Sequence, residues 1–310
     1  MVTEDGPHET DDSGARPERP DDTYDVCFEQ GHRFRLFHRD ETFHVSRAGL
    51  ELGNHLVRNL SPGELSGRIL ELGTGSGAIA LLLRSLGATS VTATDICASA
   101  VTTARQNELR NFGDSVIDFW HGDLFAGPET GREQLFDLIV FNPPGWRAPS
   151  DVLKAQLGER RSSLNLEAMF YGDSVLLRFL QQLPQHLAEN GRAVLGLNSL
   201  LGIADIFDSS RSTHRPPGGL ALHSQLLERV EFPLLFYTDE WLEMRHSLLD
   251  QFEQGRRDYA ATYRAKGETI HWFYEITEVT VKALAPLPLE PQDLETPPME
   301  PQPLEPSQLA

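Results

Sequence analysis

Three glycines in five residues, Gly73, Gly75 and Gly77, lie inside the run ILELGTGSGAIAL (69–81). Glycine reaches positive φ without penalty and has no Cβ to hold a ligand off, so such a loop lets backbone N–H groups close around a bound group. A strand-like stretch leads in and a helix-like stretch leaves at once, which puts a helix N-terminus behind the loop. Glu71 stands just before the glycines. Asp95 follows about twenty residues later, where a carboxylate can bind the two hydroxyls of a ribose. Gly73-x-Gly75-x-x-Ala78 also fits the relaxed dinucleotide fingerprint, so a nicotinamide or flavin enzyme competes with a different nucleoside cofactor here. A tight strand-to-helix turn with no ligand is the plain alternative.

Two further features bear on that choice. Asp123, in WHGDLF, falls just past a third strand on the same carboxyl edge, where it could accept a hydrogen bond from an adenine amino group. Phe141-Asn142-Pro143-Pro144-Gly145-Trp146 closes a fourth strand. Two prolines cannot donate backbone hydrogen bonds and stiffen the exit from a sheet. They thus hold the Asn142 side chain and the adjacent carbonyls at the edge that faces a ligand crevice.

These residues need a framework of alternating strands and helices, and the sequence supplies one. Candidate strands are Arg68–Leu72, Ser90–Asp95, Val116–His121, Phe136–Asn142 and Arg192–Leu197; candidate helices are Ala78–Leu86, Ala98–Asn111 and Gly172–Glu189. Continuously apolar strands such as LIVF (138–141) suit a parallel sheet covered on both faces, and the alternation argues for a doubly wound α/β sheet. Ahead of it, residues 24–38 alternate around Gln30-Gly31 like a β-hairpin, and Ser46 to Leu60 fits a helix closed by Ser61-Pro62-Gly63. After it come an irregular stretch (199–224), an apolar run (231–237), a polar helical segment (238–266) and an alternating strand (270–281). One domain, residues 23–285, is expected.

The chain has 310 residues and a formal charge of −19. Eight acids and two arginines fall in residues 1–22; residues 286–310 hold eight prolines, five acids and no base. Both stretches read as disordered acidic tails, the second extended and Pro-rich, which leaves the core at about −8. The acidic balance argues against a protein that binds nucleic acid chiefly through phosphates. No apolar run reaches membrane-spanning length, and no signal-peptide core is present. Two cysteines, Cys27 and Cys97, support neither a disulfide framework nor a zinc site, and the eleven histidines show no metal spacing.

With Glu71, Gly73–Gly77, Asp95, Asp123 and Asn142-Pro143-Pro144 in register, and with TDICASAVTTARQN (94–107) beside them, the chain resembles the class I S-adenosylmethionine-dependent methyltransferases. The similarity spans about residues 26–200 and points to the Asn-Pro-Pro branch, which includes release-factor glutamine and ribosomal RNA guanine-N2 methyltransferases. The resemblance implies a Rossmann-like fold of seven strands, the last antiparallel, with 231–237 and 270–281 as the final pair. It implies S-adenosylmethionine as cofactor: Glu71, Gly73, Gly75 and Gly77 at its methionine part, Asp95 at the ribose and Asp123 at the adenine amino group, with Thr74, Ile96, Leu124 and Asn142 completing the set. Asn142 with Pro143 would receive the nitrogen to be methylated.

Two departures shift the expected substrate. The family's fourth motif residue is usually an aromatic that stacks on a planar acceptor; here it is Gly145, followed by Trp146, which either takes over the stacking or leaves the acceptor non-planar. Neither the helical substrate domain of the release-factor enzymes nor an added nucleic-acid domain stands ahead of the hairpin. Instead, extra sequence lies at 199–224 and 238–266, the second placing Trp241, Met244, Leu248, Leu249 and Phe252 near one helix face, as a packed helix or a lid. The patch His32, Arg33, Arg35, His38 and Arg39 reads as the solvent side of the hairpin or as a site for phosphate or carboxylate, and His121 as a buried structural histidine or a residue lining the cofactor crevice.

The expectation is therefore a cytoplasmic methyltransferase that N-methylates a small molecule in specialised metabolism, with Asn142, Pro143 and Trp146 at the acceptor, no metal, nucleic acid unlikely as a partner, and a tail available for protein contact. Methylation of a protein glutamine or an RNA base is the same-class alternative, and a non-catalytic binding protein the different-class one.

Overall fold

The computed structural model describes residues 22–39, 42, 44–127, 135–158, 169–213, 220–235, 239–267 and 269–283. The tails expected at 1–22 and 286–310 fall outside these residues except for Asp22.

A two-stranded antiparallel hairpin opens the fold, β1 (Thr23–Cys27) pairing with β2 (Arg33–Phe37). Its turn is built on Gln30 and Gly31, both at positive φ. Alternation along β2 buries Phe34 and Leu36 against the main body and leaves Arg33 and Arg35 in solvent. Helix α1 (Arg47–Asn59) follows, capped where Ser46 Oγ accepts from Gly49 N. Ser61-Pro62-Gly63 does more than close it: Ser61 and Glu64 form a capping box that starts the short helix α2 (Pro62–Leu65).

Seven strands then form a mixed sheet in the order β5-β4-β3-β6-β7-β10-β8. Strands β3 (Arg68–Leu72), β4 (Ser90–Asp95), β5 (Asp118–His121), β6 (Phe136–Phe141) and β7 (Leu187–Asn198) are parallel; β10 (Thr269–Ala283) runs antiparallel to β7 and to β8 (Leu220–Pro233). An eighth strand, β9 (Tyr263–Lys266), pairs with the start of β10. Helices α3 (Ala78–Ser85) and α4 (Ala98–Phe112) pack with α1 and the hairpin on one face; α6 (Gly172–His186) and α7 (Ile203–Thr213) cover the other. A third cluster, half of it aromatic, gathers Trp146, Leu153 and Leu157 of α5 (Asp151–Gly158), Phe170, Trp241 of α8 (Asp239–Glu243), and Met244, Leu248 and Phe252 at α9 (Arg245–Asp258).

Several boundaries differ from the sequence expectation, each for a reason. β5 starts at Asp118 rather than Val116, because the N–H groups of Val116 and Ile117 donate to the buried Glu108 carboxylate instead of to a strand. α6 ends at His186, where Leu187 turns extended and pairs with Phe136. The stretch 199–224 is not irregular throughout: it contains α7, whose Ile206 and Phe207 enter the core. β8 begins at Leu220, thirteen residues before its end at Pro233. Its polar half hid it, because an edge strand has one neighbour and need not be apolar. The helical segment expected to reach 266 ends at Asp258, and Gly267 at positive φ turns β9 back onto β10.

Candidate active site

Parallel strands β3, β4 and β6 end together, so Leu72, Asp95 and Phe141 deliver the glycine loop, the ribose-type carboxylate and the Asn142 turn to one crevice. The glycine loop is tied on both sides. Thr74 N donates to Thr94 O at 2.9 Å, and Asn107 Nδ2 to Ser76 O at 2.8 Å. Gly75 N and Cys97 N donate to the two oxygens of Asp95, each at 2.8 Å. Asp95 therefore reaches from the end of β4 back to the loop, and burial raises its carboxyl above the usual range. Glu71 is closed off from water; Thr74 Oγ1 donates to its Oε2 at 2.6 Å, yet burial, with Asp95 nearby, pushes the carboxyl up to about 8.

The residues fit the nucleoside half of S-adenosylmethionine. Ile96, beside Asp95, is 68 % exposed, an apolar surface that an adenine ring would cover. Leu124 is buried at positive φ and its carbonyl accepts from Thr94 Oγ1. Asp123 is already paired, with Arg178 of α6 at 2.5 and 3.2 Å. Both partners are more than two-fifths exposed, so the pair is weak and Asp123 can give it up to another donor. His121, expected to be buried, is exposed, its Nε2 3.0 Å from Ile96 O.

A cavity of about 210 Å³ opens at the Asn142 turn. Trp146, Phe232, Trp241, Trp272 and Tyr274 supply aromatic surface, Asn142, Pro143, Gly145 and Asn198 the base, and Ser46, Arg47 and Ala48 one side. Asn142 is oriented from below: the buried Tyr274 hydroxyl donates to Asn142 Oδ1 at 2.9 Å. Burial raises the Tyr274 pKa, so this hydroxyl stays protonated and remains a donor. The tyrosine can lie there only because residue 196 on β7 is glycine; a Cβ would sit 1.7 Å from its oxygen.

Trp146 is 6 % exposed and forms a wall, held edge-to-face by Phe170, Trp241 and Phe252 at centroid distances of 5.2, 5.1 and 5.6 Å. The segment bearing Trp241, Met244, Leu248 and Phe252 thus packs on Trp146 as well as closing the cavity. Arg33, Arg35 and Arg39 do not line it. Arg35 pairs with Asp25 and Arg39 reaches Gln106, while the cation at the cavity is Arg47, which meets no acidic side chain among the described residues. Tyr274, Asn198 and Arg47 were not singled out from the sequence. Alternation along β10 marks Tyr274 as inward-facing, but nothing local tells which loop it reaches. The described residues hold no cluster of side chains fit for a metal ion, and no helix among them is long and apolar enough to cross a membrane.

Residues 41–156 match the family model of a methyltransferase small domain. The chain is 32 % identical over 158 residues to the release factor glutamine methyltransferase of Koribacter versatilis, covering 50 % of this chain and 52 % of that protein. It is 28 % identical over 174 residues to a Methanocaldococcus jannaschii protein provisionally described as a protein N5-glutamine methyltransferase, covering 56 % and 80 %. The chain spans about half the length of the Koribacter relative. Among solved structures, a protein provisionally described as a methyltransferase and complexed with SAH superposes at a TM-score of 0.50 with 14 % identity, over 85 % of this chain and 57 % of that one. This last likeness is one of fold.

Proposed function

Because the chain carries a class I S-adenosylmethionine-dependent methyltransferase domain of the Asn-Pro-Pro branch, we propose that it transfers a methyl group to the side-chain amide nitrogen of a protein glutamine. The observation that carries this reading is Asn142, its amide oxygen fixed by Tyr274 at the base of an aromatic cavity and its backbone following β6, the neighbour of the strand that leads into the glycine loop. Relatives named as protein glutamine methyltransferases support it over the RNA-base alternative.

Bound in the crevice, S-adenosylmethionine would supply a methyl group already activated by its sulfonium charge, with Gly73, Thr74, Gly75, Gly77, Asp95, Ile96, Asp123 and Leu124 holding it. The chain's own part is alignment and exclusion of water. Asn142 Oδ1 keeps a lone pair beyond the one Tyr274 uses, and accepts one N–H of the incoming amide. The Pro143 carbonyl accepts the other. Hydrogen bonds to both N–H groups favour positive charge on the nitrogen as its bond to the methyl carbon forms and the carbon–sulfur bond breaks. No carboxylate or histidine lines the cavity among the described residues, so the displaced proton leaves to water. Trp146 bounds the acceptor slot from the side.

One observation favours a second reading, a small-molecule amide: the cavity is walled by three tryptophans and is small. Methyl-labelled cofactor incubated with the protein and a cytoplasmic extract separates the two. Label recovered as N-methylglutamine in digested protein supports the proposal; label confined to the small-molecule fraction sinks it.

A further inference from the structure

Asn198, the last residue of β7, lines the acceptor cavity beside Gly145. Its two amide ends are distinguishable by their surroundings. Oδ1 accepts from Leu200 N at 2.9 Å, which assigns the oxygen and leaves Nδ2 as the other end. Nδ2 lies toward Gly145, 3.0 Å from where a Cβ on that residue would stand. Among the described residues it meets no acceptor. The loss of a side chain at position 145, unexpected for the motif, is what lets this donor approach the Asn142 turn. Asn198 is also the register partner of Tyr274 across β7 and β10, so one strand pair sets both amides of the cavity.

A primary carboxamide carries a donor and an acceptor on neighbouring atoms. Asn142 presents the acceptor for its N–H; Asn198 presents a donor. We propose that Asn198 reads the carbonyl oxygen of the acceptor amide and so selects carboxamides over amines and carboxylates. An amine has no oxygen for Nδ2, and a carboxylate has no hydrogen for Asn142 Oδ1. Asn142 is exposed and Asn198 half-buried in the free protein, so the discrimination arises when a bound substrate covers them and leaves a polar group without a partner. This inference rests on the amide-acceptor reading above and adds a residue to it.

The role predicted is specificity in binding, with little effect on the chemical step. As the nitrogen attacks, its lone pair leaves the carbonyl, and the oxygen becomes a poorer acceptor than in the ground state. A bond made fully in the ground state lowers KM and does not raise kcat. Asn198→Asp is the informative variant, because its oxygen still caps Leu200 N while the donor is gone. With a capped alanyl-glutaminyl-alanine peptide as acceptor, KM should rise about 10- to 100-fold and kcat stay within about twofold. Cofactor-induced thermal shift should be unchanged, which a merely structural role would not leave alone. Gly145→Ala, whose Cβ pushes the amide aside, should raise KM in the same direction and serves if the first variant does not fold. Unchanged KM in both variants, or a fall in kcat at constant KM, overturns the role of Asn198 while leaving glutamine methylation standing. A wild-type protein that methylates no carboxamide overturns both.

Discussion

Glu71 is an acid held where water does not reach, and its position makes one contribution to how stability depends on pH. Burial is the main cause that lifts its carboxyl from the usual 4.5 to about 8; the Thr74 hydroxyl pulls the other way and loses. An acid whose pKa is higher folded than unfolded binds its proton more tightly in the folded state. Its contribution is therefore fully present below about pH 4.5 and lost as pH rises through about 8. The cofactor-free protein should lose stability on the order of a few kcal/mol across that window, and Glu71→Gln should flatten the loss. Thermal melts of both proteins between those limits check it; parallel curves would show that another group carries the proton. The place of Glu71 before the glycines was visible in the sequence, but the burial that raises its pKa was not. That depends on Thr74, Asp95 and the covering helix, which only the fold assembles around it.

At the scale of elements, the loop between β3 and α3 uses its glycines for different purposes. A Cβ on Gly77, at φ +85°, would stand 2.9 Å from the Ala104 Cβ of α4. Gly75, at φ +53°, faces open space. Gly77→Ala should therefore cost about 1–3 kcal/mol through backbone strain and a clash between α3 and α4. Gly75→Ala should cost about 1 kcal/mol and act mainly on the cofactor. Paired denaturation and cofactor titration distinguish them; equal losses of stability would refute the division. Spacing alone marked all three glycines as one motif, because a strand-glycine-helix pattern is local. Which glycine touches a helix fifteen or more residues away is not. The same limit explains α7 and the first half of β8. α7 is identified as a helix by packing against the sheet, and β8 by pairing with β10, neither of which leaves a strong local period.

For the whole molecule, cofactor binding is a linkage that the fold must show. A ligand that binds only the folded state at a hundred times its Kd adds about 2.7 kcal/mol, several degrees in Tm for a domain of this size. S-adenosylmethionine should produce that shift, Asp95→Ala should remove most of it, and NAD should give none. A shift with NAD instead would restore the dinucleotide reading of the same glycines. Formal charge of −19 proves a weak guide at this scale, since much of it belongs to end segments and the aromatic cavity carries a cation, Arg47. The expectation of a small-molecule substrate drew on that charge and on Gly145. Relatives named for protein glutamine weigh against it, and Gly145 has a different explanation in the approach of Asn198. By itself the sequence determined the crevice at the sheet edge, because strand, glycine loop, Asp95 and Asn142 each sit within a few residues of the strand end that positions them. Only the tertiary structure decided the aromatic cavity. Its walls come from residues 46 to 274, brought together by an antiparallel β10 inserted between β7 and β8, and contacts between residues so far apart leave no period or motif in the chain to read.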